Sequence, residues 1–574
     1  MSKLIIKNGV VFDPLNNING EKKDIFIQDG KVSEEFSEKD AEVIDAANKV
    51  VMPGGVDIHS HISGAKVNLG RLFRPEDHMS DPIVKTKVTR AGVGYSVPST
   101  FATGYRYAKM GYCTVTEPAM PPLKARHTHE EFEDTPIIDK MAFPLFGNNW
   151  FVMEYIKNGD FDKLKAYVAW LLKVTKGYAV KIVNPGGVES WGWGKNCETL
   201  DDKVLYFEVT PREILENLSK INEELGLPHT IHVHGNNLGH PGNADFTRET
   251  FDALKKTKPS NGRDSVMHFT HAQFNSYGGT SWKDLCSGAH DVADYLNNNK
   301  HVTVDAGQII FSNTTTMTAD GPWEYQLHHI GGISPWGVKP GIKWINGQVE
   351  SECGSGLTPY VFNPKNSTNS IQWTVGLELL LLVKSPEQIF LTTDHPNAGP
   401  FIHYPTIIKW LMNKKSRDDK LNSINDDAKS RSQLIDIDRE YTLNDIAWIT
   451  RAGTAKCLGI ADAKGHLGIG ADGDVAIYDI DTNEKDGDKI EKSFSDAHYT
   501  IKSGQVVSRD GEILKTPLGQ TMYTDVTGKI KPDLMDSIVD DVRSLWKTRY
   551  SINYDNYPVQ EIYCHNAKVI HGNK

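Results

Sequence analysis

Residues 49–64 read KVVMPGGVDIHSHISG: a short apolar run, a Pro-Gly-Gly break, then a second apolar run with two histidines two positions apart. The pattern reads as one strand ending and another beginning. On a strand, residues i and i+2 share a face. His59 and His61 therefore point the same way, with Asp57 before them and Ile58, Ser60 and Ile62 opposite. Two imidazoles converging at a strand end suit a borderline cation such as zinc. Taken alone, the pair reads equally well as two core histidines.

The context upstream is all β. KLIIKNGVVFD, DIFIQDGKVSE and EVIDAANKVVMPG alternate apolar residues and break at Asn-Gly, Asp-Gly and Pro-Gly. The same grammar returns near the other end, in GHLGIGADGDVAIYDID and DAHYTIKSGQVVSRDGEIL. One β-sandwich built from both termini, residues 1–52 and 458–528, is the economical expectation. Between them, residues 53–457 alternate short apolar strands with longer helical patterns. The strands are GGVDIHSHI, CTVTEPA, MAFPLFG, YAVKIVN, PHTIHVHG, SVMHFTHAQF, HVTVDAGQ and IFLTTDH. Eight strands with helices between them point to an α/β fold, a (β/α)8 TIM-like barrel. A doubly wound sheet is the alternative, but no Gly-rich phosphate fingerprint follows the first strand. Residues 310–360, rich in Gly, Ser, Thr, Trp and Pro, read as a long functional loop, and 413–440 as a solvated insertion. The extension 529–574 carries one amphipathic segment that could lie on the barrel or on a partner.

Bulk properties narrow the function. The chain has 574 residues, 39% hydrophobic and 24% charged, with a net charge of −11. No basic excess is present to neutralise phosphates, which argues against nucleic acid as a partner. The six cysteines are scattered without a C-x-x-C, so free thiols in a reducing cytosol are expected, and iron–sulfur centres are not. The N-terminus does not read as a signal peptide, and the longest apolar run, LELLLLV, is too short for a membrane span. A soluble cytoplasmic protein is expected.

The later strands carry further candidate ligands. Lys181 sits between apolar residues, and burial disfavours its charged form. It reads either as a lysine paired with an acid or as a neutral amine that captures carbon dioxide. The resulting carbamate is an anionic oxygen ligand able to bridge two metals. His232 and His234 share a strand face. His268 and His271 share one only if the strand ends or bulges between them. Asp394 ends the last strand, placed to ligate a metal and to take a proton from water.

Two His, a Lys, two His and an Asp, on strands one, four, five, six and eight, resemble the ligand order of the binuclear amidohydrolase superfamily. ITRAGTAKCLGIADAKGHLGIGADGDVAIYD resembles that superfamily's return to its sandwich. More narrowly, GRLFRPEDH, KIVNPGG, HVHGNNLGHPGN, HFTHAQFNSYGG and TTDHPNAGPF resemble the family of formylmethanofuran dehydrogenase A subunits. The hydrolase subunits of bacterial formyltransferase/hydrolase complexes are similar. The resemblance runs over nearly the whole chain. It implies that His59 and His61 bind the more buried of two divalent ions, most simply Zn2+. It implies that Lys181, as N6-carboxylysine, bridges them, that His234 and His271 bind the second, and that Asp394 ligates and shuttles a proton. VHGNN favours His234 over His232, and position favours His271 over His268. His232, His268, Asn236, Asn237, His240, His395 and Arg74 are expected as neighbours.

The activity so implied is reversible condensation of formate with the amine of methanofuran, in carbon dioxide reduction and methanogenesis or the reverse. Formate would come from a molybdenum- or tungsten-pterin subunit, with iron–sulfur subunits in the same complex. The alternatives are the hydrolase subunit of a formyltransferase/hydrolase complex, a hydantoinase- or dihydroorotase-like cyclic-amide hydrolase, and a metal-free scaffold subunit.

Overall fold

The computed structural model describes residues 2–330, 345–349, 352–549 and 554–572. Eight parallel strands form a closed barrel: Gly55–Asp57, Tyr112–Met120, Asp139–Pro144, Lys181–Val183, Ile231–His234, Met267–Phe269, Val302–Asp305 and Ile389–Phe390. Ladders join strands one to three and four to eight. Two parallel bridges close the ring, Leu145 with Lys181 and Ser60 with His395. Parallel strands covered on both faces need near-continuous apolar sequence; the second strand, YCTVTEPAM, is buried at every position. Helices such as Phe161–Val174 and Pro211–Glu224 wrap the outside. The latter starts at a capping box between Thr210 and Glu213, a device of about 1 kcal/mol.

Both termini contribute to one nine-stranded sheet. Glu512–Ile513, Gln505–Arg509, Tyr499–Lys502 and Val475–Tyr478 lead into Val50–Pro53, Lys3–Asp13, Ile18–Gln28 and Lys31–Val32, and Glu42–Asp45 also pairs with Lys3–Asp13. Apolar residues from both ends, including Ile6, Ile27, Val51, Val475 and Ile501, gather in one cluster. Val32 N–H donates to Ala471 O and Gly473 N–H to Gly30 O, so the sheet curls back on itself.

Within 458–528, the strand Thr521–Thr524 does not join this sheet. It pairs in parallel with Ala567–Ile570 on one side and with the third barrel strand on the other. The physical reason is edge pairing: strands three and four of the barrel meet only at one bridge, which leaves the start of strand three an open edge. The C-terminal helix Pro532–Arg549 packs on Phe161–Val174. Tyr155 Oη and Lys163 Nζ donate to Asp541 Oδ2 at 3.0 and 2.8 Å.

Barrel and sheet are joined by buried charge. Lys464 Nζ contacts Asp139, Asp472 (2.6 Å) and Asp474 (2.7 Å); Lys502 Nζ contacts Asp139 (2.6 Å) and Asp474 (2.8 Å). The two ammonium groups hold the Asp139 carboxyl below the usual carboxylate range despite its burial. Buried charges persist only when paired in this way.

The segment expected to be a loop at 310–360 contains a three-stranded antiparallel sheet, Asn313–Thr318, Ile345–Val349 and Glu352–Val361, and the helix Gly321–Ile330. Residues 331–344 and 350–351 of that reading lie outside the described residues. The run NTTTMT makes a good strand because Thr is β-branched, although its polarity conceals it. Nor is 413–440 simply solvated. Arg417 is fully buried and donates to the carbonyls of Trp410, Ile437 and Arg439. Among the described residues no helix is long and apolar enough to cross a membrane.

Candidate metal centre

The first barrel strand stops at Asp57, and its ending changes the expected facing. Asp57 Oδ1 accepts the backbone N–H of His59 at 3.0 Å, a local turn that rotates the chain. Asp57 therefore does not share a face with His59. Its Oδ2 lies within hydrogen-bond distance of Tyr107 Oη (2.8 Å) and Tyr404 Oη (2.6 Å), and Tyr107 Oη also meets Ser60 Oγ at 2.7 Å. Burial raises the Asp57 carboxyl to about 6.

Beyond that turn, His59 and His61 converge on Asp394. His59 Nε2 is 2.9 Å and His61 Nε2 3.4 Å from Asp394 Oδ1. Both His59 Nε2 and Asp394 Oδ1 are buried, yet neither has a hydrogen bond of acceptable geometry. On the other side, His271 Nε2 is 3.0 Å from His234 Nδ1. The His59 and His271 rings pack edge to face at 5.4 Å, so the two pairs adjoin. Lys181, 1% exposed, is an electrostatic neighbour of Asp394 and His59, and among the described residues its Nζ has no hydrogen-bond partner. Burial pushes the Lys181 amine down to about 7, which leaves a substantial neutral, nucleophilic fraction. Burial lowers His59 to about 4 and lowers His234 and His271 as well. For Asp394 burial works the other way, but the His271 and His59 imidazoles hold the carboxyl well below its usual range.

This chemistry fits a divalent cation centre. Most buried polar atoms are satisfied; four that lack a well-formed hydrogen bond among the described residues, Lys181 Nζ, His59 Nε2, His271 Nδ1 and Asp394 Oδ1, belong to this one site. His59, His61 and Asp394 also offer ligand atoms within 4.8 Å of one another.

The outward nitrogens have backing partners, which orient a ligand ring and set its tautomer. His61 Nδ1 meets Glu117 Oε1 at 3.0 Å, and Glu117 Oε2 accepts the N–H groups of Ile62 and Ser63. His234 Nε2 meets Asp320 Oδ2 at 3.0 Å. His59 Nδ1 is backed by His232 Nε2 at 2.9 Å, and His232 Nδ1 in turn by His229 Nε2 at 3.0 Å. His232 is thus set behind His59. His268 lies deeper still, with Nε2 3.1 Å from Asp305 Oδ2 and Nδ1 3.7 Å from Cys457 Sγ. His59, His232 and Asp305 form a second possible ligand cluster, but His59 Nδ1 and His232 Nε2 already meet each other, and Asp305 Oδ2 meets His268 Nε2.

His271 and Asp394 both have left-handed backbones, φ 37° and 46°. Such conformations cost about 1–3 kcal/mol each for non-glycine residues and collect at functional sites. At His271 the backbone N–H is held by Asp305 Oδ1 at 2.9 Å. Gly307 makes room for the turn: a Cβ there would fall 2.3 Å from His271 Cβ.

The remaining expected neighbours have other tasks. Asn236 ties the loop after strand five to Asn184 Oδ1 and Pro185 O. His240 and Asn237 line a cavity of about 660 Å³ with Trp191 and Tyr325. His395 adjoins the ligands His61 and Asp394; its carbonyl accepts His61 N–H at 2.7 Å, and its ring packs on Phe401. Arg74 donates to Thr314 O and Thr315 Oγ1, anchoring the inserted sheet rather than the ligands. Glu117, Asp305 and Asp320 escaped the sequence reading. Glu117 and Asp305 sit at or near the ends of apolar strands, as Asp394 does, and that position was their signal.

Comparison with known proteins supplies the family. Residues 42–508 match the model of the amidohydrolase family. The chain is 55% identical over 570 residues to Protein FwdA of Methanocaldococcus jannaschii, covering 99% of this chain and 98% of that one. It is 36% identical over 529 residues, 91% of each chain, to the A component of the formyltransferase/hydrolase complex Fhc of Methylorubrum extorquens. A crystal structure of that organism's FhcABCD complex with methylofuran superposes with a TM-score of 0.89 at 31% identity, over 100% of both chains.

Proposed function

Because this chain belongs to the amidohydrolase family, we propose that it is the catalytic A subunit of a formylmethanofuran dehydrogenase, reversibly joining formate to the amine of methanofuran. The observation that carries the reading is the gathering of buried atoms that lack a hydrogen bond of acceptable geometry among the described residues, Lys181 Nζ, His59 Nε2, His271 Nδ1 and Asp394 Oδ1, in a chain 55% identical to Protein FwdA. His59 and His61 would hold one ion, His234 and His271 the other, Lys181 as N6-carboxylysine would bridge, and Asp394 would complete the set. Zinc suits this nitrogen and oxygen donor set. When bound, such ions act as Lewis acids on a carbonyl and lower the pKa of water.

The protein's own residues supply orientation and proton movement. Glu117 and Asp320 keep the Nδ1 of His61 and the Nε2 of His234 turned away from the centre. Asp394 Oδ1 takes the proton from attacking water in hydrolysis, and gives it back in condensation. Condensation in water is uphill at low formate, so delivery of formate from a molybdenum- or tungsten-pterin subunit, with iron–sulfur partners, belongs to the proposal. The Fhc relative belongs to a complex solved with methylofuran, which supports a furan-amine substrate and partner subunits here. It equally favours the second reading, a hydrolase subunit of a formyltransferase/hydrolase complex.

The test is a direct assay. The purified full chain is expected to release formate from N-formylmethanofuran and to leave hydantoin and dihydroorotate intact. Turnover of the cyclic amides without release of formate would overturn the proposal.

A further inference from the structure

The inserted segment sets a further buried carboxyl group beside Asp320, which backs His234. Glu324, on the helix Gly321–Ile330, is fully buried. Its Oε2 accepts Thr316 Oγ1 at 2.9 Å, while its Oε1 has no hydrogen-bond partner among the described residues. The placement is tied to the ligands from two sides. Glu324 N–H donates to Asp320 O, one helical turn back, so the two side chains share a face; Asp320 is the residue that holds His234. Thr316 belongs to the strand Asn313–Thr318, which clamps the loop carrying Asp394. Within it Thr314 Oγ1 donates to Pro396 O and Met317 N–H to Asn397 Oδ1, and Asn397 Nδ2 donates to Asp394 Oδ2 at 3.0 Å.

The charged groups that act electrostatically on Glu324 are Asp320 at its helix start, Lys66 on the helix Ala65–Phe73, and Asp394. Burial first, then the two carboxylates, raise its carboxyl well above the usual range, against Thr316 and Lys66. Most buried carboxyl groups have both oxygens hydrogen-bonded; in Glu324 one oxygen is bonded and, among the described residues, the other is not. A carboxyl group kept protonated beside an ionised partner is the arrangement that divides acid and base roles between two carboxyl groups.

We infer that Glu324 is a second catalytic acid, which gives its Oε1 proton to the amide nitrogen as the C–N bond breaks and recovers it from the attacking amine in condensation. The inference rests on the reaction proposed above. In the hydrolytic direction water adds to the formyl carbon and loses one proton to Asp394. The C–N electron pair leaves with nitrogen, which takes the Glu324 proton and departs as the neutral amine. The formic acid formed passes its proton to that amine. Asp394 then releases its proton to solvent and Glu324 takes one from solvent, so each returns to its starting state. No oxidant or reductant is involved.

The test compares leaving groups in the metal-loaded full chain. Glu324→Gln is expected to keep wild-type metal content and unfolding midpoint. Its kcat on N-formylmethanofuran should fall by roughly 100-fold or more. Hydrolysis of an N-formyl arylamine with an electron-poor ring, whose amine leaves without prior protonation, should be nearly unchanged. The alkaline limb of the wild-type kcat profile should also vanish in the variant. Equal loss on both substrates, or no loss on either, overturns the inference. If Glu324→Gln does not fold, Thr316→Val serves: removing the bond to Oε2 should move the alkaline limb to higher pH, and an unmoved limb overturns the inference. A wild-type chain inactive on N-formylmethanofuran refutes the function itself. A wild-type chain active on it beside an equally active Glu324→Gln chain refutes only the role of Glu324.

Discussion

Lys181→Ala is expected to purify with at least one metal ion missing and to lose turnover by on the order of 10³-fold, about 4 kcal/mol of activation free energy. The argument starts from the strand. Lys181 begins the fourth barrel strand, between the bridge to Leu145 and the register partner His232, and among the described residues its Nζ has no hydrogen-bond partner. A buried amine pushed down to about 7 is costly to keep as a cation and reactive as a neutral nucleophile toward carbon dioxide. As a carbamate it would supply the anionic ligand that the proposed centre needs between His59 and Asp394 on one side and His234 and His271 on the other. Alanine removes that ligand and leaves a space the size of the lost chain. Added short-chain carboxylates should enter it and restore part of the metal and part of the rate. A fully active Lys181→Ala chain with its full metal content would refute the bridge.

Asp394→Asn separates binding from turnover. The amide keeps the shape and one ligating oxygen, so most of the metal should stay. It cannot take a proton at the position where Asp394 Oδ1 lies 2.9 Å from His59 Nε2. Losing a positioned general base costs typically 10²–10⁴-fold, and kcat should fall in that range with metal content nearly unchanged. Metal analysis and formate release on the same preparation make the measurement. A near-normal rate would mean that another residue moves the proton.

The barrel was legible in the sequence because short, largely apolar strands and helical stretches alternate from VDIHSHI to IFLTTDH, and burial on both faces demands such runs. The shared terminal sheet was legible for the same reason, in the Gly-punctuated hairpins at both ends. Facing was harder to read. A strict i, i+2 rule joins Asp57 to His59, but the bond from His59 N–H to Asp57 Oδ1 turns the chain between them. The choice between His232 and His234 depends on which lies nearer the strand end, which spacing alone does not decide. In the structure His234 meets His271, while His232 backs His59. Asp320 and Glu324 were illegible for a different reason. They lie in an insertion whose first strand is Thr-rich and polar, and only long-range contacts, such as Asp320 with His234 and Met317 with Asn397, tie it to the barrel. Glu117 could have been found by asking of every apolar strand which carboxylate lies toward its C-terminal end.

The most direct test of the account is the metal content of the purified full chain, measured by elemental analysis against protein concentration. Two buried histidine pairs with Lys181 and Asp394 as the proposed bridging and shared ligands predict about two divalent ions per chain, removable by a chelator with loss of activity. A well-folded chain that carries less than about one ion, and that takes up no more when zinc and bicarbonate are supplied, would contradict the binuclear centre.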